Sequence, residues 1–306
     1  MLNRRNFITL MITTAVLIPA PAFAQASKVP VVATFSILGD FVREVGGDRV
    51  DLSVLVGPGS DAHVYAPAPG DAKKLAAAQL IVQNGLGFEG WIGRLIKASN
   101  TKARVVVATR GVKAIKAAHG HGHDHGHHHH GENDPHAWQN VANAIVYVNN
   151  IRDGLIAVDP AGKDSYAANA SAYVAKLEAL DKEVRAAIAR IPQANRKVIT
   201  NHEAFAYMGS AYGLRFIAPQ GISTDAAPTA QAVARIIRQI RQEKIPAVFV
   251  ENVADTRLAE RIAKESGAKL GGTLFSDQLS PPGGPAGTYI DMVRHNIREL
   301  TAALGG

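Results

Sequence analysis

The sequence predicts an α/β fold of two lobes with mainly parallel sheets, joined by one long rigid helix. Three observations carry that expectation. Short β-branched runs alternate with helical patterns from residue 29 onward, which is the mark of βα units and parallel strands. These units fall into two sets, one on each side of residues 161–191. The 306 residues also suffice for two domains of roughly 100–150 residues, each with its own core.

Residues 1–24 read as an export address. Arg4 and Arg5 lead into the apolar run 7–18, followed by Pro19 and the small-residue box Ala22-Phe23-Ala24. A positive start, a short apolar core and an A-x-A end describe a cleavable signal peptide. The run is too short to span a hydrocarbon layer of about 30 Å as a helix. Asn3-Arg4-Arg5-Asn6-Phe7-Ile8 suits a twin-arginine signal, and the ordinary Sec route stays open beside it. The mature protein is expected in the periplasm.

Residues 25–160 form the first expected lobe, with strands at 29–35, 50–56, 79–84 and 104–109. Residues 161–191 follow as the linking helix. Tyr166, Ala170, Tyr173, Leu177, Leu180, Val184, Ile188 and Ile191 step by three or four, giving one unbroken apolar stripe. Pro160 and Pro192 bracket it, as proline suits helix starts and stops. Roughly 28 residues at about 1.5 Å each span about 42 Å. A coiled-coil dimer would need longer repeats and more flanking charge pairs, so an internal strut and a monomer are expected. Residues 192–306 form the second lobe, with strands at 196–201, 214–218, 245–251 and 269–275 and helices at 229–243 and 256–266.

Composition removes several function classes. Cysteine is absent, which excludes disulfides, iron–sulfur clusters, thiolate zinc sites and a cysteine nucleophile. The formal charge is +7, yet no Lys/Arg run or aromatic-interleaved basic stretch occurs, so no nucleic-acid partner is expected.

The twelve histidines divide into two populations. His119, His121, His123, His125, His127, His128, His129 and His130 alternate with glycines and Asp124. No apolar residue lies between 120 and 132, so this stretch has nothing to fold onto a core and reads as a mobile loop. Its imidazoles suit zinc, copper or nickel, as a weak and exchangeable auxiliary site.

Of the other four, His63, His136 and His202 lie where strands or connecting loops end, and Asp277 follows the strand at 269–275. Open α/β sheets gather ligands at the carboxyl ends of their strands. Three imidazoles and a carboxylate make a sulfur-free tetrahedral zinc set. Their wide separation is not diagnostic, and each histidine has an alternative as a hydrogen-bonded structural residue. His295, on the last helix, is expected to pack or to face solvent. Asp134 has two open roles, orienting His136 or capping the following turn. Glu203 is expected to point away from its neighbour His202, either behind it or to the surface. Gly85-Leu-Gly87-Phe-Glu89-Gly90 fits a dinucleotide pattern, but the next strand ends in Arg110-Gly111 where that pattern needs an acid. A tight turn is expected there, and no nucleotide cofactor.

Three stretches carry a resemblance. Asp61-Ala-His63-Val-Tyr65-Ala-Pro67-Ala-Pro69-Gly-Asp71 is similar to D-P-H-x-Y-x-P-x-P-x-D, with Ala62 in place of proline. Asn84-Gly85-Leu-Gly87-Phe-Glu89-Gly90-Trp91 resembles N-G-L-G-x-E-x-W, and Asp134-Pro135-His136-Ala-Trp138 matches D-P-H-x-W. The chain thereby resembles the metal-binding proteins of bacterial ABC importers (cluster A-I), and most of all their zinc members of the ZnuA/AztC kind. The resemblance implies two lobes with the metal in the cleft between them and His63, His136, His202 and Asp277 as ligands. It further implies Zn²⁺ as the transported ligand, a membrane permease with its cytoplasmic ATPase as partner, and a place for a periplasmic zinc chaperone.

Manganese relatives tend to present glutamate where this chain has His202, and a nitrogen-rich set favours zinc. A manganese-type protein of the same fold is the alternative. A secreted zinc hydrolase is the alternative of another class. It would need an open coordination position and a base; no H-E-x-x-H is present, and His202-Glu203 lacks the second histidine. Four protein ligands leave no place for an activated water, so no enzymatic activity is expected.

Overall fold

A computed structural model describes residues 27–117, 133–253 and 255–305. The expected signal peptide at 1–24 and the histidine-rich stretch at 119–130 lie outside the described residues.

Two four-stranded parallel sheets form the two lobes. The first contains β1 (Val29–Phe35), β2 (Val50–Val56), β3 (Leu80–Gln83) and β4 (Arg104–Val107), in the order β2-β1-β3-β4. The second contains β5 (Lys197–Ile199), β6 (Arg215–Ile217), β7 (Ala247–Glu251) and β8 (Lys269–Leu274), in the order β6-β5-β7-β8. Both orders reverse direction after the first two strands. Such a sheet opens a crevice at the carboxyl ends of its two central strands, here β1/β3 and β5/β7.

Nine α-helices complete the described chain: α1 (Ser36–Gly46), α2 (Pro69–Ala77), α3 (Ile92–Ser99), α4 (Val141–Val158), α5 (Lys163–Ala189), α6 (Ala206–Tyr212), α7 (Ala230–Glu243), α8 (Thr256–Ser266) and α9 (Tyr289–Leu304). The 27-residue α5 is the predicted link between the lobes, about 40 Å long at 1.5 Å per residue. Its apolar stripe is buried from Tyr166 to Ile188, with Ile191 buried just beyond its end. It packs on α1 and α4 of the first lobe and on α9 of the second. One apolar cluster therefore runs from β1 through α1, α4 and α5 to α9. A smaller cluster fills the opposite face of the second sheet, where Val233, Ile236 and Ile240 of α7 and Ile262 of α8 meet Ile199 and Val248.

Several strands are shorter than the sequence pattern suggests, and the cause is visible at their carboxyl ends. Asn84 leaves the β3 ladder because its amide donates to Glu89 Oε1 at 2.6 Å. Asn201 leaves β5 because its amide donates to Glu251 Oε1 at 2.7 Å. Carboxylates thus take over where strand pairing stops, freeing the next residues to line the crevice. The glycine pattern after β3 is a turn, with φ of 91° at Gly85, 55° at Leu86 and 83° at Gly87. A Cβ on Gly85 would also lie 2.5 Å from Val107 Cγ1, so only glycine fits.

Leu177→Ala should cost about 2–5 kcal/mol of stability, because Leu177 is fully buried on the shared face of α5. Glu178→Ala, on the exposed face, should stay within about 0.5 kcal/mol. Urea unfolding of the two variants checks the contrast.

Candidate metal centre

His63 sits on the loop between β2 and α2. Asp61 Oδ1 accepts from the His63 amide at 2.8 Å, and Trp91 Nε1 donates to the Ala62 carbonyl at 2.8 Å. The Trp91 bond is made to backbone, so alanine serves at 62 in place of proline. Phe88 meets the His63 ring edge-on at 4.7 Å between centroids, fixing its tilt.

His136 precedes α4. Asn84 Nδ2 donates to the Pro135 carbonyl at 2.9 Å, while Tyr147 donates to Asn84 Oδ1 at 2.6 Å. Asp134 Oδ1 accepts both the amide and the ring Nδ1–H of His136, each at 2.8 Å. Asp134 therefore fills both of its open roles: it caps the turn through the His136 amide, and it orients the ring so that Nε2 points into the cleft.

His202 follows β5 and is braced from the end of β7. Glu251 Oε1 accepts the His202 amide at 2.8 Å, and Glu251 Oε2 lies 2.6 Å from His202 Nδ1. Asp277 follows β8. The carbonyl of the preceding Ser276 accepts from Trp138 Nε1 at 2.9 Å and from Gln139 Nε2 at 2.8 Å, so first-lobe side chains hold a second-lobe loop.

The four side chains converge. His63 Nε2 lies 3.2 Å from His136 Nε2. Asp277 Oδ2 lies 3.4 Å from His63 Nε2 and 3.1 Å from His202 Nε2, and Oδ1 lies 3.5 Å from His136 Nε2. One donor atom from each falls within 4.8 Å of all the others, the only such group among the described residues. All four side chains are nearly out of water. With Nδ1 of His136 and His202 turned to carboxylates, the inward Nε2 lone pairs face one another. Lone pairs at this distance repel unless a cation or a proton lies among them.

Electrostatics agree with a cation site. Burial pushes the His63 pKa below the ordinary imidazole value, only partly opposed by Asp277. Burial acts the same way on His202, but Glu251 and Asp277 outweigh it and raise its pKa well above that value. Burial likewise disfavours a charged Asp277, yet the neighbouring His202 and His136 hold its carboxyl well below the usual range. Four converging donors suit retention of an ion.

A buried four-donor group between two parallel-sheet lobes fits a solute-binding protein whose cargo is a metal ion. The family model for ZnuA, described as "Zinc-uptake complex component A periplasmic", matches residues 31–303, and the chain belongs to that family. The iron-binding protein YfeA of Yersinia pestis is 33% identical over 295 residues, covering 96% of this chain and 92% of its own. The manganese ABC transporter substrate-binding lipoprotein PsaA of Streptococcus pneumoniae is 33% identical, covering 92% and 90%. Among solved structures, the periplasmic zinc binding protein TroA from Treponema pallidum superposes with a TM-score of 0.84 at 30% identity, covering 92% of this chain and all of that one. The chain is thus a periplasmic metal-binding substrate-binding protein of an ABC transporter, and not an enzyme. Family members work with permease and ATPase components. Iron, manganese and zinc all occur in the names of these relatives, so kinship leaves the metal open.

The remaining candidates find other places. His295 packs inside the second lobe: Nε2–H donates to the Thr273 carbonyl at 2.9 Å, Nδ1 accepts from Arg298 at 2.9 Å, and Phe275 meets the ring edge-on. Glu203 is half-buried beside a cavity of about 250 Å³ that Thr200, Phe205 and Ile115 also line, outside the four-donor group. Sequence reasoning missed Glu251, although it ends a strand at the same sheet edge as His202, and the strand-end rule reaches it.

The raised pKa of His202 favours the protonated ring in the metal-free protein, so metal binding should release up to one proton there. Calorimetry in buffers of different ionisation enthalpy measures that number. The raised pKa of His202 means protons compete more strongly as pH falls, so apparent affinity should drop steadily from pH 8 to pH 5. A flat profile would contradict imidazole ligation.

Proposed function

We propose that this protein captures Zn²⁺ through His63, His136, His202 and Asp277 and delivers it to an ABC permease for import. The observation that carries the reading is the third donor. His202 presents nitrogen, and Glu251 Oε2 behind it, 2.6 Å from Nδ1, matches an imidazole N–H. A glutamate at 202 would set a carboxylate against Glu251, so the surroundings of this position favour nitrogen. Three imidazoles with one carboxylate suit zinc better than manganese. In this reading 1–24 is removed on export, by the Sec or twin-arginine route, and the lobes 25–160 and 192–306 close on the ion about the linking helix 161–191. The protein acts as a monomer, and a periplasmic zinc chaperone is a fitting donor.

The stretch 119–130 serves in this reading as an auxiliary collector. Its eight histidines follow Lys116, which pairs with Asn133 across the base of the segment, and Asn133 is three residues from His136. Metal gathered there is bound more weakly than by the four donors.

Metal analysis of untagged protein purified without chelator should find zinc. His63→Ala and His202→Ala should each abolish tight binding. His202→Glu should narrow the preference for zinc over manganese by about tenfold or more, in line with the loss of a nitrogen donor; an unchanged preference would refute the assignment of selectivity to this position. Deleting 119–130 should lower the metal-to-protein ratio and spare the tight site. If the deletion alone removed tight binding, the two histidine populations would have exchanged roles.

A further inference from the structure

The two lobes also meet away from the metal centre, at a buried carboxylate that metal binding does not use. Asp40 lies on α1 of the first lobe and is 1% exposed. Its Oδ2 accepts from the amide of Tyr289 at 2.9 Å. Tyr289 opens α9 of the second lobe, so its N–H has no partner within its own helix. The same tyrosine donates its hydroxyl to the Trp138 carbonyl at 2.6 Å, and Trp138 Nε1 reaches the Ser276 carbonyl beside Asp277. Three hydrogen bonds thus lead from Asp40 to the peptide before Asp277.

We propose that Asp40 is a proton-linked clasp between the lobes: neutral, it seats α9 and the Asp277 loop against the first lobe, and ionised, it favours their parting. The physical ground is incomplete compensation of a buried charge. The groups around Asp40 come from three elements. On α1 itself, Arg43 reaches Oδ1 at 3.3 Å from a largely solvated position, and Glu44 repels it. From α5, the Tyr173 hydroxyl is buried against it, while Lys176 is engaged by Glu44. From α9, Asp291 repels it, although the amide of Tyr289 favours the charge.

Burial outweighs the Tyr289 amide and Arg43, raising the Asp40 pKa to about 6. When the lobes part and water reaches the carboxyl, the pKa returns toward the ordinary carboxylate value. The closed junction therefore binds the proton more tightly than the open one. Below that ordinary value the preference for closure is fully present, and it is lost as pH rises through about 6. A difference of about two pKa units corresponds to about a hundredfold change in the opening equilibrium. The inference rests on the metal centre lying between the lobes, and not on which metal fills it.

Hydrogen exchange of the metal-free protein at residues 276–292, corrected for intrinsic rates, reads the opening directly. The opening constant should rise about tenfold between pH 5 and pH 7.5, the share of the hundredfold span that lies above pH 5. In Asp40→Asn, which mimics the neutral acid, it should stay at the low-pH level throughout. At pH 7.5, zinc release to a chelator should be slower from Asp40→Asn than from the unmodified protein. An opening constant independent of pH, or equally pH-dependent in Asp40→Asn, would overturn the proposal. Carbon-13 titration of the Asp40 carboxyl needs no variant: a midpoint near 6 supports the clasp, and one below about 4.5 refutes it.

Discussion

The structure depends on a repulsion that it sets up and only a cation relieves. Three imidazole nitrogens and a carboxylate are brought within a few ångströms of one another and sealed from water. In water each would be solvated separately. Here their lone pairs share one small space, and the cost of holding them together appears as affinity for a positive ion. In the metal-free state burial pushes His63 down, while Glu251 and Asp277 outweigh burial and push His202 up.

Holding such a set requires that no donor swings away, and each donor is fastened from behind. Asp61 holds the His63 amide, Asp134 the ring of His136, Glu251 the amide of His202 with its second oxygen set against the ring, and Trp138 with Gln139 the peptide before Asp277. The family motifs acquire physical meaning through these bonds. Glu89 closes the end of β3 on Asn84, accepting its amide as well as the Thr34 hydroxyl, and Asn84 in turn pins the peptide before His136. Trp91 anchors the loop that carries His63. The N-G-L-G-x-E-x-W stretch supplies none of the four donors, yet it braces the loops that carry two of them.

Much of this was legible in the sequence because periodicity and strand-end position are local properties. The stripe on α5 and the β-branched runs marked where the layers lie, and β1, β2 and α8 occupy the residues their patterns suggested. His63, His136, His202 and Asp277 could be proposed from position and chemistry, but their convergence needed the resemblance, since nothing local relates a loop after β2 to one after β8. The role of Asp134 was undecidable from sequence because one oxygen fits two local bonds, and in the fold it makes both. Glu251 escaped notice as the last residue of an otherwise apolar strand. The Asp40–Tyr289 bond joins residues 249 positions apart and leaves no trace in any short pattern.

The division of the donors between the lobes has a further consequence. His63 and His136 belong to the first lobe, His202 and Asp277 to the second, so in the proposed reading each lobe alone offers a bidentate half-site. Joining the halves gives a chelate whose strength reflects the high effective concentration of one pair near the other. Displacing one lobe by even a few ångströms removes two donors together. In the proposed reading, an importer would have no need to outbid a tetradentate cage, because slight separation of the lobes would leave a labile ion.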